Sequence, residues 1–502
     1  MDITKILNGI RIDPKSSAPM YLQIANSLAA KINECTLPVG SKLLPERDLA
    51  SLLAVSRTTI INAYRLLEER GLVSTRIGSG TYVADLASAD QPASGMPWEQ
   101  LFKPQYKSPL SYLLRSLVAA PTADETISFA AGMPDPTLYD LSIIEKALKD
   151  NHCLEAEDYG YIPIEGYPPL RRSLSSWQTA QGIHASPDNI LIVSGSQQGL
   201  YLIVKVFIEP RDYVIVESPT YLGAIQMLEA AGARILTLPE SSSLNLEIFE
   251  DYLIRYRPKF FYTIPTYQNP TGQVMPLRHR QEIICLAARY HLTVVEDDPY
   301  SQLYYNRQPP LSLKSLDTYG GVIYLSTFSK ILFPGLRTGW VTAAPQVINR
   351  LAQEKQYVDL HSNNLSQIIL HSCLEQHYLA NHLTVVRREY KKRRDTLAEA
   401  IRQYCSNHLD FEVPEGGFYL WCTVHPPASP AELLRRSAAA GVTFVPGEAF
   451  YLNNPKSRQI RLCFVTHKNE QLIEGIRRLA KIFKSGAANA SLPSATTGRP
   501  LI

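Results

Sequence analysis

The hydrophobic pattern changes along this chain, and the change marks its organisation. Over residues 20–35 apolar side chains recur every three or four positions (Leu22, Ile24, Leu28, Ala29, Ile32), the period of an amphipathic helix. Leu37-Pro38-Val39-Gly40 reads as a turn. A second helix is expected from near Pro45 through Leu53, because proline suits the first helical turn. Ser56 is a good N-cap for a third helix, Arg57 to about Arg70, and Gly71 fits its C-terminal end. Two short strands, Leu72–Arg76 and Thr81–Val83, flank Ile77-Gly78-Ser79-Gly80. Three helices and a β-hairpin predict a winged helix-turn-helix.

From about Thr126 to Phe483 short continuous apolar runs alternate with helical patterns. The runs include Ile190–Ser194, Tyr213–Glu217, Phe260–Ile264, Thr293–Asp297 and Val322–Ser326. Such runs are buried on both faces, and their alternation with helices predicts parallel βαβ units, an α/β domain. Between the two patterns, Asp85 to Glu125 holds five prolines among polar and aromatic residues. This stretch reads as a linker with a short helix near Leu110–Ala119. The expected organisation is a DNA-binding module over 1–84, a linker over 85–125, an α/β domain over 126–485 and a disordered tail over 486–502, which is poor in bulky apolar residues.

Composition narrows the class. With 502 residues, 45% apolar and 19% charged, the chain is an ordinary folded protein that can bury a core without staples. It has no run of about 18 apolar residues that would span a membrane, and its first residues lack the apolar core of a signal peptide. Seven scattered cysteines make no C-x-x-C pair, so neither a disulfide framework nor a metal site is indicated, and a cytoplasmic location is expected. Net charge is +3, and residues 1–84 hold ten basic against seven acidic side chains, which is the whole excess. That placement suits a nucleic-acid partner, and solvated surface charge gives the same count; it is the winged helix-turn-helix that points to double-stranded DNA. The third helix would offer Arg57, Thr58 and Thr59 to phosphates and base edges. Arg47 of the second helix, Ser56 at the cap of the third and Gly80 of the wing complete the expected DNA-binding set.

These features resemble the DNA-binding domain of GntR-type bacterial regulators. The resemblance rests on PMYLQIANSL, PVGSKLLPERDLA, VSRTTIINAYRLLEERGLV and GSGTYV. The chain departs from that family's usual Pro-Ser ahead of the second helix, having Leu44-Pro45.

Five blocks in the second half carry candidate chemistry. Thr327-Phe328-Ser329-Lys330, running on to Arg337, offers a lysine able to condense with an aldehyde, and hydroxyls and a guanidinium suited to a phosphate. Ser194-Gly195-Ser196-Gln197 opens a helix whose N-terminus suits an anion. Tyr221 can stack on a flat ring, and Asn269, in Gln268-Asn269-Pro270-Thr271-Gly272, can donate to a phenolic oxygen. Glu296-Asp297-Asp298-Pro299-Tyr300 puts acids at the carboxyl edge of a parallel sheet. Taken singly, each block has an ordinary reading as a turn, a core tyrosine or a solvated acidic loop.

Together and in this order they resemble fold-type-I pyridoxal-phosphate aminotransferases, closest to the 2-aminoadipate/kynurenine-like branch. The resemblance implies pyridoxal 5'-phosphate as cofactor and Lys330 as its covalent anchor and the catalytic residue. Asp297 would pair with the ring nitrogen, Asn269 and Tyr300 with the ring hydroxyl, and Tyr221 would stack. Ser196, Gln197, Thr327, Ser329 and Arg337 would form the phosphate cup. Tyr161 would reach the phosphate of a partner subunit, implying a homodimer, and Arg461 would clamp the carboxylate of an amino acid. A GntR-type head on such a domain resembles MocR-type transcriptional regulators. This implies a transcription regulator that senses an amino acid or amine. A working aminotransferase carrying a DNA-binding head is the alternative, because no expected pocket residue is missing. A third reading keeps the cofactor only for stability.

Overall fold

The computed structural model describes residues 7, 10, 12–13, 16, 18–34, 36–38, 40–76, 80–84, 126–150, 160–238, 245–425, 429–452 and 457–488. The chain divides into two compact units within residues 85–125. That segment, expected to be a linker with a short helix, lies outside the described residues, as do residues 77–79 of the wing.

In the first unit α1 (Met20–Asn33), α2 (Glu46–Leu52) and α3 (Arg57–Glu69) precede an antiparallel hairpin of β1 (Val73–Arg76) and β2 (Gly80–Val83). The apolar stripe of α1 is buried at Ile24, Leu28 and Ile32 against Leu49, Ile60 and Leu67 from the other two helices. Ser56 caps α3, its side chain accepting from the Thr59 N–H at 3.2 Å. Pro45 begins α2 with no side-chain cap, as expected where the usual serine is missing.

The second unit is built on a central sheet that has seven strands among the described residues. Its strands are β4 (Ile190–Val193), β5 (Tyr213–Glu217), β6 (Arg234–Leu238), β7 (Phe260–Thr263), β8 (Thr293–Asp297), β9 (Val322–Thr327) and β10 (Gly339–Thr342), in the order β4-β10-β9-β8-β7-β5-β6. β5 to β9 pair in parallel, as their continuous apolar runs require. β10 departs from the parallel expectation, lying antiparallel between β4 and β9. The loop from β9 to β10 therefore doubles back over residues 328–338 instead of crossing through a helix, with Phe328 N–H bonded to Thr338 O at 3.1 Å.

An antiparallel sheet of β11 (Leu409–Phe411), β12 (Tyr419–Val424), β14 (Val445–Pro446) and β15 (Gln459–Cys463) follows. Alternating βαβ units did not foretell it. The entry strand β3 (Ile127–Ser128) pairs in parallel with β13 (Val442–Thr443), so the start of this unit is tied to its end. The last helix runs from Asn469 through Ala488, so residues 486–488, expected in the tail, are helical. The rest of the tail lies outside the described residues. No helix among the described residues is long and apolar enough to cross a membrane.

Candidate functional site

A cavity of about 260 Å³ at the carboxyl edge of the central sheet gathers Ser196, Tyr221, Asn269, Asp297, Tyr300, Lys330 and Arg461. Lys330 stands just past β9, in the loop that doubles back to β10. Its Nζ donates to Gly132 O at 2.7 Å and lies 5.8 Å from the Phe418 ring centre. Burial pulls this amine down to about 8; the Cys463 thiol opposes the shift, and Arg461 and Arg337 reinforce it. A substantial neutral fraction at pH 8 is what a nucleophilic amine needs.

Asp297 ends β8 and is 5% exposed. Tyr262 OH donates to its Oδ2 at 2.7 Å, while Oδ1 is buried with no hydrogen-bond partner. Burial pushes this carboxyl up to about 7, against the Tyr262 bond and with help from Asp298. A buried carboxylate oxygen without a donor is costly, and a protonated ring nitrogen placed there would satisfy it.

Arg461, on β15, is buried, and its charge meets no carboxylate among the described residues. Nη1 donates to Asn269 Oδ1 and Nη2 to Ala130 O, both at 2.8 Å, and Nε has no partner. Tyr419 and Phe450 flank the guanidinium at 4.1 and 4.9 Å. Tyr300 OH lies 3.3 Å from Tyr419 OH. Tyr221 OH donates to Gln197 Oε1 at 3.0 Å, and burial pushes this phenol up to about 12.

Beside the cavity the helix Ser196–Phe207 points its N-terminus at a cluster of donors. Gly195 precedes it with φ +84°. Ser329 N–H and Oγ meet Thr327 Oγ1 at 3.1 and 3.0 Å, and Arg337 Nη1 reaches Ser329 Oγ at 3.4 Å. Strand and helix start approach closely because position 339 is glycine. A Cβ there would fall 2.6 Å from Ser326 O and 2.9 Å from Ser196 N. Free helix N–H groups, hydroxyls and a guanidinium make this cradle fit a phosphate dianion. Gln197 gives its side chain to Tyr221, leaving its backbone N–H for an anion.

Tyr161 does not line this cavity. It is 87% exposed, with its ring edge-on to His361 at 5.7 Å. Several lining residues escaped the sequence reading: the 130–133 loop, Leu222, Tyr419 and Phe450. Glu415-Gly416-Gly417-Phe418-Tyr419, a glycine pair ahead of a strand, was the available signal.

On the first unit, Arg47, Arg57 and Thr58 are exposed. Arg57 pairs with Glu46 at 2.8 Å. Ser56 and Thr59 are occupied with starting α3, their hydroxyls 2.8 Å apart. Gly80 is half-buried at the start of β2.

Comparison with known proteins matches residues 128–479 to aminotransferase class I and II and residues 20–83 to bacterial regulatory proteins of the gntR family. Aromatic-amino-acid aminotransferase 1 of Thermococcus litoralis is 36% identical over 402 residues, 78% of this chain and 96% of that protein. The HTH-type transcriptional regulator YdfD of Bacillus subtilis is 29% identical over 94% of this chain and 97% of its own length. Among solved structures, the alpha-aminoadipate aminotransferase LysN of Thermus thermophilus, complexed with N-(5'-phosphopyridoxyl)-L-leucine, superposes with a TM-score of 0.70. It is 34% identical and covers 78% of this chain and all of that one.

Proposed function

The chain belongs to the aminotransferase class I and II family, with a gntR-family head that gives it the MocR architecture, and on that premise we propose that it is a pyridoxal 5'-phosphate-dependent DNA-binding transcriptional regulator. The observation that carries this reading is the pairing of both modules on one chain, a pairing the YdfD match spans almost end to end. The buried, partnerless Asp297 Oδ1 and the cradle at Ser196, Ser329 and Arg337 fit a phosphorylated pyridine.

Bound pyridoxal 5'-phosphate supplies an aldehyde that condenses with amines and a ring that draws electrons from the carbon bearing the amine. Lys330, its amine pulled down to about 8, is the nucleophile that would hold that aldehyde. Asp297, whose Oδ1 has no donor, would hold a proton on the ring nitrogen, and Tyr221 of the same wall would pack against the ring. Arg461 recognises a carboxylate by exchanging its bonds to Asn269 and Ala130 for a bidentate pair. The effector is thus an amino acid rather than a simple amine.

The protein works as a homodimer in the cytoplasm, where its DNA target lies. Support for the dimer comes from the exposed ring of Tyr161 and from Tyr357, Val358 and Leu360, which one short segment leaves exposed together, apolar surface that a second copy would cover. A second reading, turnover as an aminotransferase, is favoured by one observation: Asn269, Asp297, Tyr300, Lys330 and Arg461 line one pocket, in which a lysine amine pulled down to about 8 would serve as a general base.

The test measures two signals while a panel of amino acids is titrated into full-length protein. These are the visible absorption of the bound cofactor and the affinity for operator duplexes selected from random sequence. One amino acid is expected to shift both, changing operator affinity about 5- to 150-fold, and Lys330→Ala is expected to lose both responses. A ligand response intact in Lys330→Ala sinks the regulator mechanism. Steady release of 2-oxo acid brings in the enzyme reading.

A further inference from the structure

A second cavity, of about 480 Å³, opens next to the first and shares Ile264 with it. Its walls come from residues 217–219 at the end of β5, residues 264–276 ahead of the helix Leu277–Tyr290, and residues 412–415 ahead of β12. The first stretch runs on into Tyr221 and the second contains Asn269, both of which face the other cavity. Gln268 stitches the two stretches together, its Nε2 donating to Pro219 O at 2.7 Å and its Oε1 accepting from Thr271 N–H at 2.9 Å.

Glu217 sets the chemistry of this cavity. Its Oε2 accepts from Thr263 Oγ1 at 2.9 Å and Ile264 N–H at 3.3 Å. Its Oε1 accepts no hydrogen bond among the described residues. Burial pushes the carboxyl up to about 7, against those two donors and Arg280. Arg280 does not pair with it, since its guanidinium donates to Met275, Leu311 and Pro265 carbonyls and the Thr266 hydroxyl. Arg307, also at this cavity, is held by Glu415 at 3.0 Å. Glu412 adds a further acid, and Leu238, Ile264, Met275 and Pro414 add apolar wall. An acid with no ion pair among the described residues, beside the apolar side chains of a mixed wall that also holds His279, suits a cation with an alkyl body.

We propose that this cavity is a second ligand site, one that binds a small organic cation, an alkylammonium or alkylguanidinium, with its head on Glu217 Oε1 and its alkyl body against Leu238, Met275 and Pro414. The binding itself does not rest on the cofactor reading. Its consequence does: an occupant touches the stretches that present Tyr221 and Asn269, so it acts on amino-acid recognition from outside the cofactor cavity.

Butylguanidine is the probe, because it carries no primary amine to react with a cofactor aldehyde. Calorimetry on full-length, cofactor-loaded protein at pH 8 is expected to show saturable binding at millimolar concentration or below. Glu217→Gln keeps acceptors for Thr263 and Ile264 and is expected to weaken binding at least tenfold. Met275→Lys, which tethers a cation in the cavity, is expected to do the same. Lys330→Ala protein is expected to bind the probe as the wild type does. No binding by folded wild-type protein, or equal affinity in Glu217→Gln and Met275→Lys, overturns the proposal. Loss of binding in Lys330→Ala alone moves the probe to the cofactor cavity and overturns it as well.

Discussion

Arg57 on the head and Lys330 in the large unit are both basic side chains proposed above to meet a phosphorylated ligand, and they stand in opposite surroundings. Arg57 is in water, 53% exposed, and its pair with Glu46 is exposed too. Such a pair is worth about 0–1 kcal/mol, so it is readily exchanged for a phosphate. Lys330 faces a cavity where Asp297 and Arg461 are buried without an ion-pair partner among the described residues. Charge there is expensive, so Lys330 shifts toward its neutral form, as does Asp297. The head holds donors that bind by screened electrostatics; the cavity holds groups whose chemistry is set by dehydration. The first should respond to salt and the second to pH and to filling of the cavity.

The largest effect that would sharpen this contrast is at Asp297. Its folded-state carboxyl holds a proton up to about 7, while the unfolded chain releases it near the ordinary Asp value of about 4. Between those pH values the unfolded state binds fewer protons, so cofactor-free stability falls as pH rises. Asp297→Asn is expected to remove that loss, leaving cofactor-free protein about 2–4 kcal/mol more stable than wild type at pH 8 and little changed at pH 4. Cofactor affinity should fall at the same time. Urea melts at the two pH values check it, and equal wild-type and mutant pH profiles would break the idea of a dehydrated cavity.

The next effect belongs to the head. Arg57→Ala is expected to weaken operator binding by about 1–3 kcal/mol and to lower the salt slope by about one if the contact is to phosphate. Anisotropy titrations across a salt series measure both, and the cofactor spectrum should be unmoved. The smallest effect is Ser56→Ala, which removes the cap on the Thr59 N–H and is expected to cost about 1 kcal/mol of head stability. A much larger loss in a thermal melt would mean that the head is less separable from its capping chemistry than an exposed surface implies.

The head was legible almost residue by residue, because its helices are amphipathic, capped and short in sequence separation. Helices expected over 20–35, 45–53 and 57–70 appear as Met20–Asn33, Glu46–Leu52 and Arg57–Glu69. In the large unit the parallel strands were equally plain, since short apolar runs such as Val214–Val216 and Val322–Leu325 bury both faces wherever they pair. Their partners and directions were not. Nothing in Gly339–Thr342 says that β10 runs against its neighbours, yet that reversal folds the 328–338 loop carrying Lys330 and Arg337 back toward the helix start at Ser196.

The sequence by itself determined the two modules, most strands of the central sheet and most of the polar groups at the cofactor cavity, because these follow from local periodicity and from motifs a few residues long. Only the tertiary structure decided what those groups experience. Burial left Asp297 Oδ1 without a donor, and the register that sets Trp421 opposite Arg461 brought Tyr419 into the same wall. It also closed a second cavity around Glu217, whose place at the end of a buried strand gave no sign that its neighbour Arg280 would turn elsewhere. Dehydration and pairing depend on residues far apart in the chain, and no local pattern encodes them.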